Sequence, residues 1–380
     1  IGTATETVIA IPAEYDGKPV TGIGDRAFLN CKSLTSIIIP DSVTSIGREA
    51  FLNCNSITSV TIGNGVTSIG REAFLYCSSL EEIRYTGDIT SWCGIDGIVY
   101  LYVRSMSTSL LPVYIGNQNL HEMTSITIPD NVTSIERYAF LGCESLEEIR
   151  YTGDLASWCG IDGLSSLMAY GKSTKKLYID GKEITGALVI PNSVTAISAY
   201  AFNGCGNLTS ITIENGVTSI GNYAFNDCGS LTSIIIPDSV TSIGNYAFLN
   251  CKKITSVTIG NGVTDIGENA FSGCTSLTSI TIPAGLTEIS KSVFEGCSSL
   301  ASITIPAGVT YISNSAFNNC SSLAGITVDE NNSCYASKDG ILYDKEITEF
   351  ICAPKGIKGA IIIPDSITSI DNSAFHNCSR

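Results

Sequence analysis

The sequence predicts an α/β repeat solenoid, and three observations predict it. VTSIGNYAFNDC at 217–228 and VTSIGNYAFLNC at 240–251 are nearly the same phrase, set 23 residues apart. Val194, Val217, Val240, Val263, Leu286 and Val309 keep that spacing without a slip, as Val43 and Val66 do near the start. Every unit also carries a Phe three residues before a Cys, a pairing that occurs eleven times from Phe28/Cys31 to Phe375/Cys378. A fixed period of roughly 20–50 residues marks stacked supersecondary units.

Within one unit, Leu34 to Cys54 reads LTSIIIPDSVTSIGREAFLNC. Alternation at Ile37 and Ile39 predicts a strand with one buried face. Pro40 has no N–H to continue a ladder, so the strand ends there, and Val43 and Ile46 turn apolar groups inward again from a second, shorter extended stretch. Ala50 and Phe51 precede Cys54 by four and three residues, the spacing that shares one face of a short helical turn. Burying each large side chain stabilises by roughly 1.5–3 kcal/mol, whereas ordering the backbone costs about 1–2 kcal/mol per residue. No single unit is stable alone; stacked units form a continuous parallel sheet and gain stability along the stack.

The count breaks in three long repeats, near 85–131, 151–193 and 329–366. The first two are related: SLEEIRYTGD stands at 79–88 and 145–154, and SWCGIDG at 91–97 and 157–163. Asp180-Gly181 and Asp339-Gly340 each lie between two strand-like runs and predict small hairpin lobes. The run AIPAEYDGKPVTGIG is read as an opening rung with a bulge before Val20. One solenoid domain over 1–380 is expected. The first residues lack an initiator Met and a charged leader, and the last five stop midway through a unit, so the chain reads as a fragment of a longer protein.

Thirty-six acids against 21 bases leave a formal charge of −15, which opposes binding to phosphate backbones and anionic lipid. Nucleic acid is not an expected partner. No apolar run reaches the ~18–20 residues of a membrane-spanning helix, and no membrane-spanning segment is expected.

Of the 15 cysteines, eleven share the one repeat position. Stacked equivalents would lie about 4.8 Å apart, but their side chains run parallel instead of facing each other, so packing predicts a column of free thiols beneath the Phe residues. Cys93, Cys159, Cys334 and Cys352 lie in the long repeats, and a Cys334–Cys352 bridge is possible around the hairpin. There is no C-x-x-C and no zinc-like Cys/His spacing. Neither a metal nor any other cofactor is expected.

Catalytic signals are sparse. The two histidines, His121 and His376, have no partner identifiable from sequence. Glu81/Glu82 and Glu147/Glu148 are the best carboxylate pairs for work on a sugar, but Glu82 shares a strand face with Arg84, and Glu148 with Arg150, which a salt-bridged surface explains more simply. An enzyme is not expected. The outward residues of the strands form columns of Ser and Thr, among them Thr61 and Thr127, and charge interrupts this neutral wall at Glu82, Arg84, Glu148 and Arg150. Those six are the candidate ligand-binding residues. Trp92 and Trp158 read either as exposed anchors or as plugs closing the long repeats, and a Cys beside each in an apolar motif favours the plug.

The pattern L-x-x-I-x-I followed by P-x-x-V-T-S-I-G-x-x-A-F-x-x-C resembles the leucine-rich repeats of BspA-type bacterial surface proteins over nearly the whole chain. The resemblance implies a curved, right-handed leucine-rich-repeat stack with a parallel concave sheet and short convex helical turns. It implies a noncovalent protein-binding or adhesion module, secreted or at the cell surface. Its partner would be a host extracellular-matrix protein such as fibronectin or fibrinogen, another surface protein, or a glycan, and the chain is expected to be a monomer. The other reading is a non-catalytic scaffold or glycan-binding arm of a larger secreted enzyme.

Overall fold

The computed structural model describes residues 7–102, 111–172, 174–372 and 374–375. They fall into two compact units, Ile1–Gly153 with Ile161–Lys172, and Asp154–Gly160 with Ser173–Arg380.

In the first unit the strands Val8–Ala10, Ser36–Ile39, Ser59–Ile62, Glu82–Tyr85 and Val113–Ile115 pair in that order, all parallel. Ser36 pairs with Ser59 and Ile37 with Val60, so equivalent residues lie side by side. Ile37 and Ile39 are buried while Ile38 between them is exposed, as strand alternation requires. A second, narrower ladder joins Gly22–Ile23, Ser45–Ile46 and Ser68–Ile69. Ser125–Ile128 and Glu148–Tyr151 form a further parallel pair.

The second unit repeats the plan. Gly186–Ile190, Leu208–Ile213, Ser233–Ile236, Ser256–Ile259 and Ser279–Ile280 make one parallel sheet. Ala196–Ile197, Ser219–Ile220, Ser242–Ile243 and Asp265–Ile266 make the narrow one. The hairpins expected at Asp180-Gly181 and Asp339-Gly340 are present: Lys176–Ile179 turns back on Lys182–Glu183, and Tyr335–Lys338 on Ile341–Asp344. In the first unit the bulge expected before Val20 is also a hairpin, Glu14–Tyr15 against Lys18–Pro19, with Asp16 and Gly17 both at positive φ in its turn.

One expectation fails. The A-F-x-x-C segment is not helical, and the only α-helices among the described residues are Ile89–Cys93, Leu155–Gly160 and Ser165–Met168, all in long repeats. The α component of the predicted α/β class is therefore absent from the regular coils. The reason is the alternation of N–H directions. In 49–54, Ala50, Leu52 and Cys54 donate to Gly47, Glu49 and Phe51 of their own coil, while Glu49, Phe51 and Asn53 donate to Arg71, Ala73 and Leu75 of the next. Glu49 at φ 54° and Asn53 at φ 62° turn these peptide planes outward. An α-helix would keep every N–H within its own coil; here half of them bond to the neighbour.

Three columns follow from the stacking. Phe202, Phe225 and Phe248 stack face to face with centroids 5.2 and 5.4 Å apart. Thr218 and Thr241 each donate a hydroxyl to the carbonyl of the Thr one coil earlier, at 2.9 and 3.2 Å. The thiols form the third column, and most are directed at a carbonyl instead of at another sulfur. Cys54 Sγ lies 3.0 Å from the Phe28 oxygen, Cys251 Sγ 3.2 Å from Phe225, and Cys320 Sγ 3.1 Å from Phe294. The cysteines from Cys54 to Cys320 at this repeat position are free and buried. Cys334 also keeps a free thiol, so the bridge to Cys352 is not made; Cys378 and His376 lie outside the described residues.

Burial pushes the Cys54 thiol up to about 11 and those of Cys77, Cys143, Cys205 and Cys320 up to about 12. An unfolded thiol ionises near ~8.5, so the folded state holds the proton more tightly. That contribution is full below pH ~8.5 and is lost as pH rises toward 12. Each such thiol should steepen the alkaline loss of stability by about 1.4 kcal/mol per pH unit. Urea titrations between pH 8 and 11 read this slope, and replacing Cys228 and Cys251 by Ala should make it shallower.

Candidate functional site

The strand Glu82–Tyr85 buries Ile83 and Tyr85 and turns Glu82 and Arg84 outward. Arg84 grips Glu82 with two bonds, Nε to Oε1 and Nη2 to Oε2, both 2.8 Å. Ser59, paired with Glu82 in register, adds a hydroxyl at 3.4 Å. Arg84 pairs with Thr61 on one side and with Tyr114 on the other, and its guanidinium carbon stands 4.4 Å from the Tyr114 ring centroid. Tyr114 is not legible in the sequence as a contact of Arg84, because only the ladder sets the two side by side.

Glu148 and Arg150 repeat the pair at 2.8 Å, with Thr127 beside Arg150 in register. The six candidates thus form two groups of three on separate sheets of the first unit, each carboxylate held by its own arginine. The hydrogen bond from Arg84 holds the Glu82 carboxyl below its ordinary range, and partial burial opposes this only in part. A general acid for glycoside cleavage needs the opposite shift. Surface pairs of this kind contribute ~0–1 kcal/mol to stability. Half-buried His121 has its pKa lowered by burial.

Both tryptophans are plugs. Trp92 and Trp158 are fully buried, and each indole N–H reaches a backbone carbonyl, Trp92 to Ala139 at 2.8 Å and Trp158 to Ala201 at 2.9 Å. In regular coils that Ala carbonyl accepts the Phe N–H of the coil before, as Phe225 to Ala247 at 2.8 Å. At the long repeats the indole N–H takes that place. Beneath it, Asp88 caps the helix Ile89–Cys93, accepting from the Ser91 N–H at 2.9 Å while its own N–H bonds the Ser91 hydroxyl. Tyr85 packs against Trp92 with centroids 5.4 Å apart. A Cβ on Gly87 would fall 2.6 Å from the Tyr85 ring, so glycine is obligatory there.

The corner above this packing is an open groove of about 670 Å3, lined in part by Asn64, Thr86, Asp88, Thr90 and Asn131. Its lining side chains are uncharged polar ones apart from Asp88, with the threonine methyls and backbone carbons adding apolar surface between them. The groups that could hold a metal ion, three or more His, Cys, Asp or Glu together, do not occur among the described residues. No described helix is long and apolar enough to cross a membrane.

Stacked parallel coils with in-register ladders define a solenoid repeat protein. More narrowly, the chain belongs to the BspA type leucine rich repeat family, whose model matches residues 11–93, 117–158, 181–265 and 241–380. It is similar to a leucine rich cell surface protein from Faecalibacterium prausnitzii, at 30% identity over 85% of this chain and 88% of that one, with a TM-score of 0.43. A leucine-rich repeat protein from Bacteroides ovatus is 27% identical over 85% and 87%, with a TM-score of 0.39. Another from Eubacterium ventriosum is 22% identical over 90% and 96%, at 0.43. Among curated proteins none matches the chain.

Trp92→Phe should orphan the Ala139 carbonyl and cost at least ~1–3 kcal/mol, and Gly87→Ala should also destabilise through the Tyr85 contact. Chemical denaturation midpoints test both, and a Trp92→Phe midpoint equal to that of the parent would refute the plug assignment.

Proposed function

We propose that the chain is a noncovalent binding module of a secreted or cell-surface bacterial protein, and that it grips a protein partner with the outward face of its strands in the first unit. The observation that carries this is the preorganised group of Glu82, Arg84 and Tyr114. The arginine is held from both sides, by a bidentate carboxylate and by an aromatic face, on a ladder that cannot move one strand without its neighbours. Arg and Tyr are the residue types on which binding energy concentrates, and fixing them before contact lowers the ordering cost of association.

Thr61 beside Arg84, and Thr127 with Glu148 and Arg150 on the other pair of strands, extend the face. The family resemblance points to host extracellular-matrix proteins such as fibronectin or fibrinogen as partners. Membership of a leucine-rich-repeat family and a cell-surface relative support the binding reading; noncovalent capture requires no catalytic group.

Replacing Arg84 and Arg150 together by Glu should weaken capture of immobilised fibronectin or fibrinogen at least ~tenfold, since truncating a binding hot spot commonly costs ~2 kcal/mol or more. Surface plasmon resonance on the intact chain reads the effect. Unchanged affinity would move the interface off this face.

A further inference from the structure

The groove at the corner of the first long repeat does not belong to the strand face. Its floor is rigid: the Gly87 backbone rests on Tyr85, whose hydroxyl bonds the Asn64 carbonyl at 3.2 Å and whose ring leans on Trp92. On the walls, Asn131 accepts the Thr90 hydroxyl at 3.3 Å through its Oδ1, which leaves its NH2 group available. Among the described residues no hydrogen bond occupies the Asn64 carboxamide; only its backbone N–H and C=O are engaged. The short helix adds nothing of its own, since Asp88 already accepts its first free N–H.

Two carboxamides, the hydroxyls of Thr86, Thr90 and Ser91 and one carboxylate line it without a basic side chain; Thr86 and Thr90 already donate to Asp41 and Asn131, so their oxygens accept while the carboxamide NH2 groups donate. The Asp88 carboxylate, with no basic side chain beside it, disfavours anionic ligands. The set matches a molecule whose every group both donates and accepts. We propose that this groove is a binding site for one neutral saccharide, whose adjacent hydroxyls bridge Asn64, Asp88 and Asn131.

The second long repeat supplies an internal comparison. TGDITSWCGIDG at 86–97 and TGDLASWCGIDG at 152–163 keep the Thr, Gly, Asp, Ser, Trp and Cys of the scaffold. The wall positions differ: Asp130 stands for Asn64, Ala156 for Thr90 and Ser193 for Asn131. Asn64 stands where Asn215 and Asn261 stand in regular coils, at a turn, so what the first long repeat adds at this corner is Thr90 and Asn131, joined by their hydrogen bond.

Isothermal titration calorimetry of the intact chain against uncharged oligosaccharides of glucose, galactose, mannose and N-acetylglucosamine tests the assignment. At least one should bind with a stoichiometry of one per chain. The double substitution Asn64→Ala with Asn131→Ala should weaken it at least ~tenfold, the loss of one or two hydrogen bonds, with unchanged thermal melting because both residues are exposed. Arg84→Glu should leave saccharide binding intact, so failure of the protein-capture reading and failure of this one are read separately. Binding of none of these sugars, or undiminished binding by the double variant, overturns the proposal.

Discussion

Everything in this structure depends on backbone groups that one coil cannot satisfy by itself. On the strand side the next coil completes the parallel ladder; on the turn side Glu49, Phe51 and Asn53 donate to the coil that follows. Buried N–H and C=O groups left without partners are costly, so a coil acquires its shape only when another lies against it. The side-chain columns obey the same spacing: Phe28, Phe51 and Phe74 stack at 5.0 Å, and Tyr200, Tyr223 and Tyr246 at 4.7 and 4.6 Å. Identity of residues from coil to coil is the consequence, because each must present the same surface below and above.

The thiol shows how narrow that requirement is. Phe225 O accepts two bonds, the N–H of Cys228 in its own coil and the S–H of Cys251 in the next. Truncation to alanine would leave the sulfur's space empty and donate nothing, while a serine hydroxyl would be smaller and more strongly hydrated before burial. Hydrogen bonding to carbonyls and desolvation together keep the thiols protonated and apart.

The long repeats solve a problem of phase. Inserting a helix between the two strands of a coil removes the Phe that would have capped the next coil's Ala carbonyl. Trp92 and Trp158 return that donor from a side chain. The same insertion lifts the 86–91 segment away from the regular corner and produces the first unit's polar groove. Departures from a repeat are therefore where new surface is made, while the regular coils supply rigidity.

Much of the fold was legible in the residues. The period of 23, the alternation at Ile37 and Ile39, the hairpins at Asp180-Gly181 and Asp339-Gly340, and the burial of Phe and Cys all rest on local chemistry or on simple repetition. The A-F-x-x-C turn was misread as helical because its spacing fits either conformation; the choice is made by the carbonyl of the following coil, which no local pattern contains. Glu82 with Arg84 was visible as a strand-face pair, but Tyr114 was not, since 29 residues separate it from Tyr85 and only the ladder places it beside Arg84. Sequence alone determined that coils recur and which way their side chains face, because both follow from short-range periodicity. Tertiary structure decided where each outward N–H, indole and thiol finds its acceptor, because those partners lie one coil away in space and 22 to 47 residues away along the chain.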